Sequence, residues 1–291
     1  MSFQRTAGPG DRRLTDKICV ITGATSGIGL RTAMQLAAMG ARLVLIGRDR
    51  GRGEVALALL KSRCPQLAVE IHYADLSRLD EIRRLGQALT TLPQIDVLIN
   101  NAGAIFSRRE VTEDGLERTF ALNHMAYFLL TELLLDRIKQ SAPARIVNVT
   151  SELHRLAKVD FSDLQSEHLY SGWRAYCRSK LCNVLFTREL ARQLGRTGVT
   201  VNCLHPGFVA SRFADNNKGI GGWSFWTAKT LFGSSPVWGA TATAYLASAP
   251  EVAGTTGAYF RRYSPSVASP IARDDRTAAR LWRETARLAG L

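Results

Sequence analysis

Six short apolar runs, at 17–22, 42–46, 68–73, 96–99, 145–150 and 200–204, alternate with longer stretches of helical spacing near 28–39, 50–63, 77–90, 115–140 and 173–195. The runs are rich in Val, Ile and Leu and mostly lack the polar alternation of a strand with one wet face. Strands of that kind are buried on both sides, so each intervening helix must cross over and cover the sheet. Such crossovers are right-handed, which restricts the chain to an α/β fold: one doubly wound parallel sheet with helices on both faces. A sheet of this kind fills 291 residues alone, so 15–291 reads as one domain behind a flexible arm at 1–14.

Two segments interrupt the alternation. Residues 206–238 carry Pro206 and the aromatics Phe208, Phe213, Trp223, Phe225, Trp226, Phe232 and Trp238. Residues 264–270 read as a turn before an amphipathic helix near 275–289, with Leu281, Trp282, Ala286 and Leu288 on one face.

Composition narrows the function classes. No stretch approaches 18 consecutive apolar residues, so no membrane-spanning helix is expected, and the polar start of the chain shows no secretory leader. The formal charge is +13, from 31 Arg and 7 Lys against 25 acids, but the bases are scattered in single residues and short pairs. A solvated basic surface accounts for that better than a nucleic-acid footprint, and no nucleic-acid partner is expected. Cys19, Cys64, Cys177, Cys182 and Cys203 show no metal spacing, and His124, His154, His168 and His205 form no His-x-x-x-His pair. Reduced thiols in a cytoplasmic protein without a metal are the expectation.

The first apolar run leads into Thr22-Gly23-Ala24-Thr25-Ser26-Gly27-Ile28-Gly29 and then a helix. Glycines there let the backbone turn sharply and approach a pyrophosphate, whose charge sits at the helix N-terminus. The second run ends at Gly47-Arg48, where an NAD-preferring fold places an acid on the ribose 2′-hydroxyl. Gly47 has no carboxylate and Arg48 offers a planar fork for a 2′-phosphate, so NADP(H) is favoured over NAD(H). Asp75 and Leu76 follow the third run, placed for the adenine. Asn101, Ala102 and Gly103 follow the fourth, where small residues let a cofactor lie close. Tyr176 and Lys180 fall one helical turn apart, so an ammonium can act on a phenol and lower its pKa.

With these motifs in place, the chain resembles the short-chain dehydrogenase/reductase family over about 15–290, within it the retinol-dehydrogenase-like branch. The resemblance rests on 22–29, 100–103, 147–151, 176–180 and 205–207, and on 176–192 and the C-terminal SPIARDDRTAARLW. It implies a Rossmann-type NADP-binding catalytic domain and a site of four residues. Ser151 would hydrogen-bond the substrate oxygen and Tyr176 act as general acid/base. Lys180 would tune Tyr176 and hold the ribose, and Asn123 would position a relay water. Pro206, Gly207 and Val209 match the segment whose backbone receives the carboxamide, with Ser211 where Thr is frequent. Thr25 or Ser26 stands where some NADP-dependent members carry a base, which leaves Arg48 as the main 2′-phosphate ligand. Homo-oligomers are common among relatives.

The aromatic segment 208–238, just after the carboxamide segment, reads as a lid over a small apolar carbonyl or alcohol, retinoid-, steroid- or aldehyde-like. Lys218 and Lys229 beside its tryptophans leave peripheral membrane contact open. The expected reaction is hydride transfer between NADP(H) and that substrate. The alternative is a non-catalytic NADP-binding regulator or scaffold on the same fold, which the intact Ser151, Tyr176 and Lys180 disfavour.

Overall fold

The computed structural model describes residues 12–207 and 236–291. Its strands are β1 Ile18–Thr22, β2 Arg42–Gly47, β3 Val69–Tyr73, β4 Val97–Asn100, β5 Ala144–Val149, β6 Val199–His205, β7 Tyr259–Arg261 and β8 Ser264–Ser266. They form one sheet in the order β3-β2-β1-β4-β5-β6-β7-β8. Every pairing is parallel except β7 with β8. The order reverses between β1 and β4, the point at which open α/β sheets form a ligand crevice beyond the carboxyl ends of their strands.

The helices are α1 Gly27–Ala38, α2 Arg50–Arg63, α3 Leu79–Leu89, α4 Ala126–Gln140, α5 Gly172–Leu194, α6 Pro236–Ser248 and α7 Asp275–Ala289. Successive strand residues point to opposite faces, and each face has its own core. From β1, Ile18 and Val20 join the side chains of α3, α4, α5 and α7, whereas Cys19 and Ile21 join those of α1 and α6. Two-sided burial explains why five of the six apolar runs were legible; β3, at the sheet edge, is half-buried throughout and carries Glu70 and His72. Leu281 is buried on α7 and Trp282, Ala286 and Leu288 pack against the same core. Trp282 lies 5.7 Å from Phe186 and 4.9 Å from Phe128, pinning the last helix across α4 and α5. All five cysteines are free thiols. Among the described residues no helix is long and apolar enough to cross a membrane.

Three local expectations change. The first three residues of 264–270 are not a turn. They pair antiparallel with β7, with Pro265 on the sheet edge where it breaks no interior ladder. Helix α6 begins inside the segment read as a lid. The helix expected from 115 starts at Arg118, because the Glu117 carboxylate caps it, accepting from the backbone N–H of Thr119 at 2.7 Å and Phe120 at 2.8 Å. That turn, Arg118–Phe120, runs through π-helical Ala121–Met125 into α4.

His124, in the π-helical segment, is fully buried. Its Nδ1 meets the Asn183 side-chain oxygen at 3.1 Å and its Nε2 the Thr285 hydroxyl at 3.1 Å, joining α5 to α7. Burial pushes its pKa down to about 4, against an opposing hydrogen bond to Asn183. Below pH 6.5 the unfolded chain takes up a proton that the folded chain refuses until about pH 4. Stability present above pH 6.5 is therefore lost across that window, by about 2–3 kcal/mol at pH 4.5. Urea unfolding at pH 7 and 4.5 checks this: wild type loses that much more stability than His124→Gln. Equal losses would show that another group governs the acid limb.

Candidate active site

The loop joining β1 to α1 is built for close approach. Gly23 has φ +64°, and a Cβ there would lie 2.9 Å from Ala102 Cα; a Cβ on Gly29 would lie 2.3 Å from the Gly23 carbonyl oxygen. Asn101 locks the loop, its amide donating to the carbonyls of Thr22 at 2.8 Å and Gly23 at 3.3 Å. The Thr22 hydroxyl accepts from the backbone N–H of Asn101 at 2.8 Å and of Ala102 at 3.0 Å. Ser26 precedes α1 in extended conformation, makes no side-chain cap, and the first turn carries no acid. The N–H groups and positive dipole end at Gly27 and Ile28 are thus left to an external anion. These features fit a pyrophosphate.

At the end of β2, Gly47 has no room for a side chain, since a Cβ there would lie 2.4 Å from Thr25 Cγ2. Arg48, half-exposed, stands 3.6 Å from the Asp75 carboxylate. Burial opposes ionisation of Asp75. Hydrogen bonds from Ser77 and the charges of Arg48 and Arg118 outweigh it and hold the carboxyl below its ordinary range. The Leu76 side chain is buried in the core, which leaves its main chain as the part that could meet an adenine.

The second cluster gathers where β5 and α5 meet the crevice. Ser151 ends the β5 run and caps the short 3₁₀ segment Glu152–Leu156, its hydroxyl accepting from the Leu153 N–H at 3.2 Å. That leaves the hydroxyl proton for another partner, and the hydroxyl acts on Tyr176 in the direction that favours its phenolate. Lys180, one turn further along α5, is 3% exposed. Its ammonium donates to the Val149 carbonyl at 3.1 Å and lies 5.7 Å from the Tyr176 ring and 5.5 Å from the Tyr127 ring. Asn123 is gripped on both sides by Ala104, accepting from its N–H and donating to its carbonyl, each at 2.9 Å, and it also donates to Ser179. A Cβ on Gly103 would stand 3.2 Å from Asn123 Oδ1 and 3.4 Å from Lys180 Nζ, so glycine keeps this corner open.

Burial dominates the electrostatics. It raises the Tyr176 phenol well above its ordinary value, only partly offset by the Ser151 hydrogen bond, and it lowers Lys180 to about 7. The sequence led to the opposite expectation, a phenol acidified by its lysine. Desolvation exceeds that effect, and among the described residues no acid is paired with Lys180 to keep it charged.

The structure thus brings Gly23, Thr25, Ser26, Gly27, Ile28 and Gly29 to one end of the crevice and Asn123, Ser151, Tyr176 and Lys180 to the other. Asn101, Ala102 and Gly103 lie between them. Pro206 and Gly207 follow β6 on the same rim. Val209 and Ser211, most of the 208–238 lid and nearly all of the arm at 1–14 lie outside the described residues. Tyr127 was missed. It is buried, donates to the same Val149 carbonyl at 3.3 Å, and flanks Lys180. Its spacing of four from Asn123, on one helical face, was the available signal.

Residues 17–219 match the family model described as short chain dehydrogenase. Human retinol dehydrogenase 12 is 41% identical over 280 residues, 96% of this chain and 88% of that protein. Human retinol dehydrogenase 13 is 40% identical over 294 residues, 98% and 88%. Among solved structures, an uncharacterised protein from Mycobacterium paratuberculosis superposes with a TM-score of 0.77 at 32% identity, covering 95% of this chain and 94% of that one. An NADPH-bound short-chain oxidoreductase from Pseudomonas aeruginosa PAO1 gives 0.67 at 25%, covering 88% and 99%. The chain belongs to the short-chain dehydrogenase family, oxidoreductases that use NAD(P)(H). Within it the chain is similar to the retinol dehydrogenases.

Proposed function

We propose that this protein interconverts an apolar carbonyl compound and its alcohol with NADP(H), the substrate being retinoid-, steroid- or aldehyde-like. The observation that carries the reading is the gathering of Ser151, Tyr176 and the buried Lys180, whose ammonium lies 5.7 Å from the Tyr176 ring, at the same end of the sheet as the glycine loop and the uncapped start of α1. When bound, the dinucleotide supplies or accepts the hydride. Gly27, Ile28 and the loop glycines would hold its pyrophosphate and Lys180 its ribose. Pro206 and Gly207, with Val209 and Ser211 beyond them, would receive its carboxamide.

The chain's own groups handle the oxygen and the proton. Tyr176 keeps its proton at neutral pH because burial disfavours the phenolate, which suits it to protonate the oxygen of a carbonyl under reduction. The Ser151 hydroxyl, oriented by Leu153, donates to the same oxygen as negative charge develops. Lys180, near 7, takes up or releases a proton within reach of Tyr176, and Asn123 holds the relay corner open through its grip on Ala104. Alcohol oxidation runs the same transfers backwards.

Preference for NADP(H) is supported by Thr25 filling the space a carboxylate at position 47 would need, and by Arg48 standing at that edge. The retinoid-like substrate class is supported by the names of the 40%-identical relatives and by the aromatic segment. The test is dinucleotide oxidation with retinal, a steroid ketone, an aromatic aldehyde and a medium-chain aldehyde, each with NADPH and NADH. Turnover of at least one with NADPH preferred is expected, and no turnover of any would overturn the reading. Arg48→Ala should weaken NADPH binding by about 10-fold or more, the worth of a charge-assisted hydrogen bond, and leave NADH within about twofold. Equal losses for both would reject Arg48 as the 2′-phosphate ligand.

A further inference from the structure

His154 lies three residues beyond Ser151, fully buried, and its two ring nitrogens have fixed and opposite partners. Nδ1 lies 2.8 Å from the Ser151 carbonyl oxygen, which can only accept. Nε2 lies 3.1 Å from the backbone N–H of Ser269, which can only donate. The ring proton therefore sits on Nδ1. The Ser151 carbonyl also accepts from the His154 backbone N–H at 3.2 Å, so this one residue grips it twice.

The chain around Ser269, just past β8, is anchored to the same segment. Arg155 donates to the Val267 carbonyl. Tyr259 of β7 packs its ring 4.8 Å from the His154 ring and donates to the Glu152 carboxylate at 2.6 Å. The 3₁₀ segment that fixes the Ser151 hydroxyl is thus tied to the end of the sheet by Glu152, His154 and Arg155 in near succession.

We infer that His154 is a positioning residue for Ser151, carrying its proton on Nδ1 so that the C-terminal segment, through the Ser269 N–H, sets the main chain from which the catalytic hydroxyl projects. The inference rests on the role proposed for Ser151. Asparagine at 154 can place its amide N–H near where Nδ1 sits and keep the grip on Ser151. Glutamine can place an oxygen near Nε2 and keep Ser269 while losing Ser151. Misplacing a reacting group by about 1 Å costs about 10²-fold in rate.

The experiment measures kcat and KM for a carbonyl substrate and NADPH dissociation constants for wild type, His154→Asn and His154→Gln. A histidine ¹⁵N spectrum of wild type at pH 7.5 accompanies it. Expected are a fall in kcat of about 10²-fold for Gln, a value within tenfold of wild type for Asn, NADPH affinity within about twofold for both, and the proton on Nδ1. A Gln variant within tenfold of wild type, a Gln variant faster than Asn, or a proton on Nε2 would overturn the inference. If the Gln variant does not fold, the spectrum and the Asn variant decide. A wild type with no carbonyl turnover would instead refute the reductase reading, and the tautomer would still judge the hydrogen-bonded frame.

Discussion

Tyr176→Phe is expected to bind NADPH within about twofold of wild type yet turn over about 10³-fold more slowly or worse, the scale of a lost general acid. The substitution removes one oxygen and keeps the ring beside Lys180. The glycine loop, Asn101 and Arg48 all lie elsewhere in the crevice, so the dinucleotide loses nothing it needs to bind. What disappears is the proton donor, with no other phenol in its place. Tyr127, though buried beside Lys180, donates to the Val149 carbonyl. Fluorescence titration of NADPH and single-turnover rates on the same preparation separate the two effects. Turnover within tenfold of wild type would remove Tyr176 from the chemistry.

Gly29→Ala is expected to weaken dinucleotide binding by 10²-fold or more, from a single added methyl group. That methyl would lie 2.3 Å from the Gly23 carbonyl oxygen and 2.6 Å from the Asn101 amide nitrogen. Neither can yield cheaply. The first is backbone, and the second is held by hydrogen bonds to Thr22 and Gly23. The loop must open, which disperses the N–H groups that face the anion and costs on the order of 1–3 kcal/mol of stability. Gly254→Ala is the matched control: its Cβ meets nothing within 4 Å, and both affinity and melting temperature should stay put. Calorimetric titration with NADPH alongside thermal unfolding checks both variants. Unchanged affinity in Gly29→Ala would mean that the loop does not hold the pyrophosphate.

The parallel sheet was legible because strands buried on both faces leave little choice beyond Val, Ile and Leu, and the glycine loop because backbone contact at Gly29 admits no side chain. Tyr176 and Lys180 were suggestive only by their spacing, and Ser151 and Asn123 entered through resemblance. The structure shows why they gather in one place, since strand β5, the π-helical segment and α5 converge on one corner. Strands β7 and β8 were hidden because three-residue strands show no periodicity. The state of Tyr176 was misread because desolvation is a property of the folded surroundings, invisible in a four-residue spacing. His154 looked ordinary for a similar reason: its Nε2 partner lies 115 residues away.

The proposed reaction is direct hydride transfer to a carbonyl carbon at this site. It is tested most directly by one turnover of retinal with NADPH deuterated at both C4 positions, followed by mass analysis of the alcohol. One deuterium on the carbinol carbon is expected for each NADPH oxidised. An alcohol without the label, or oxidation of NADPH with no alcohol formed, would contradict it.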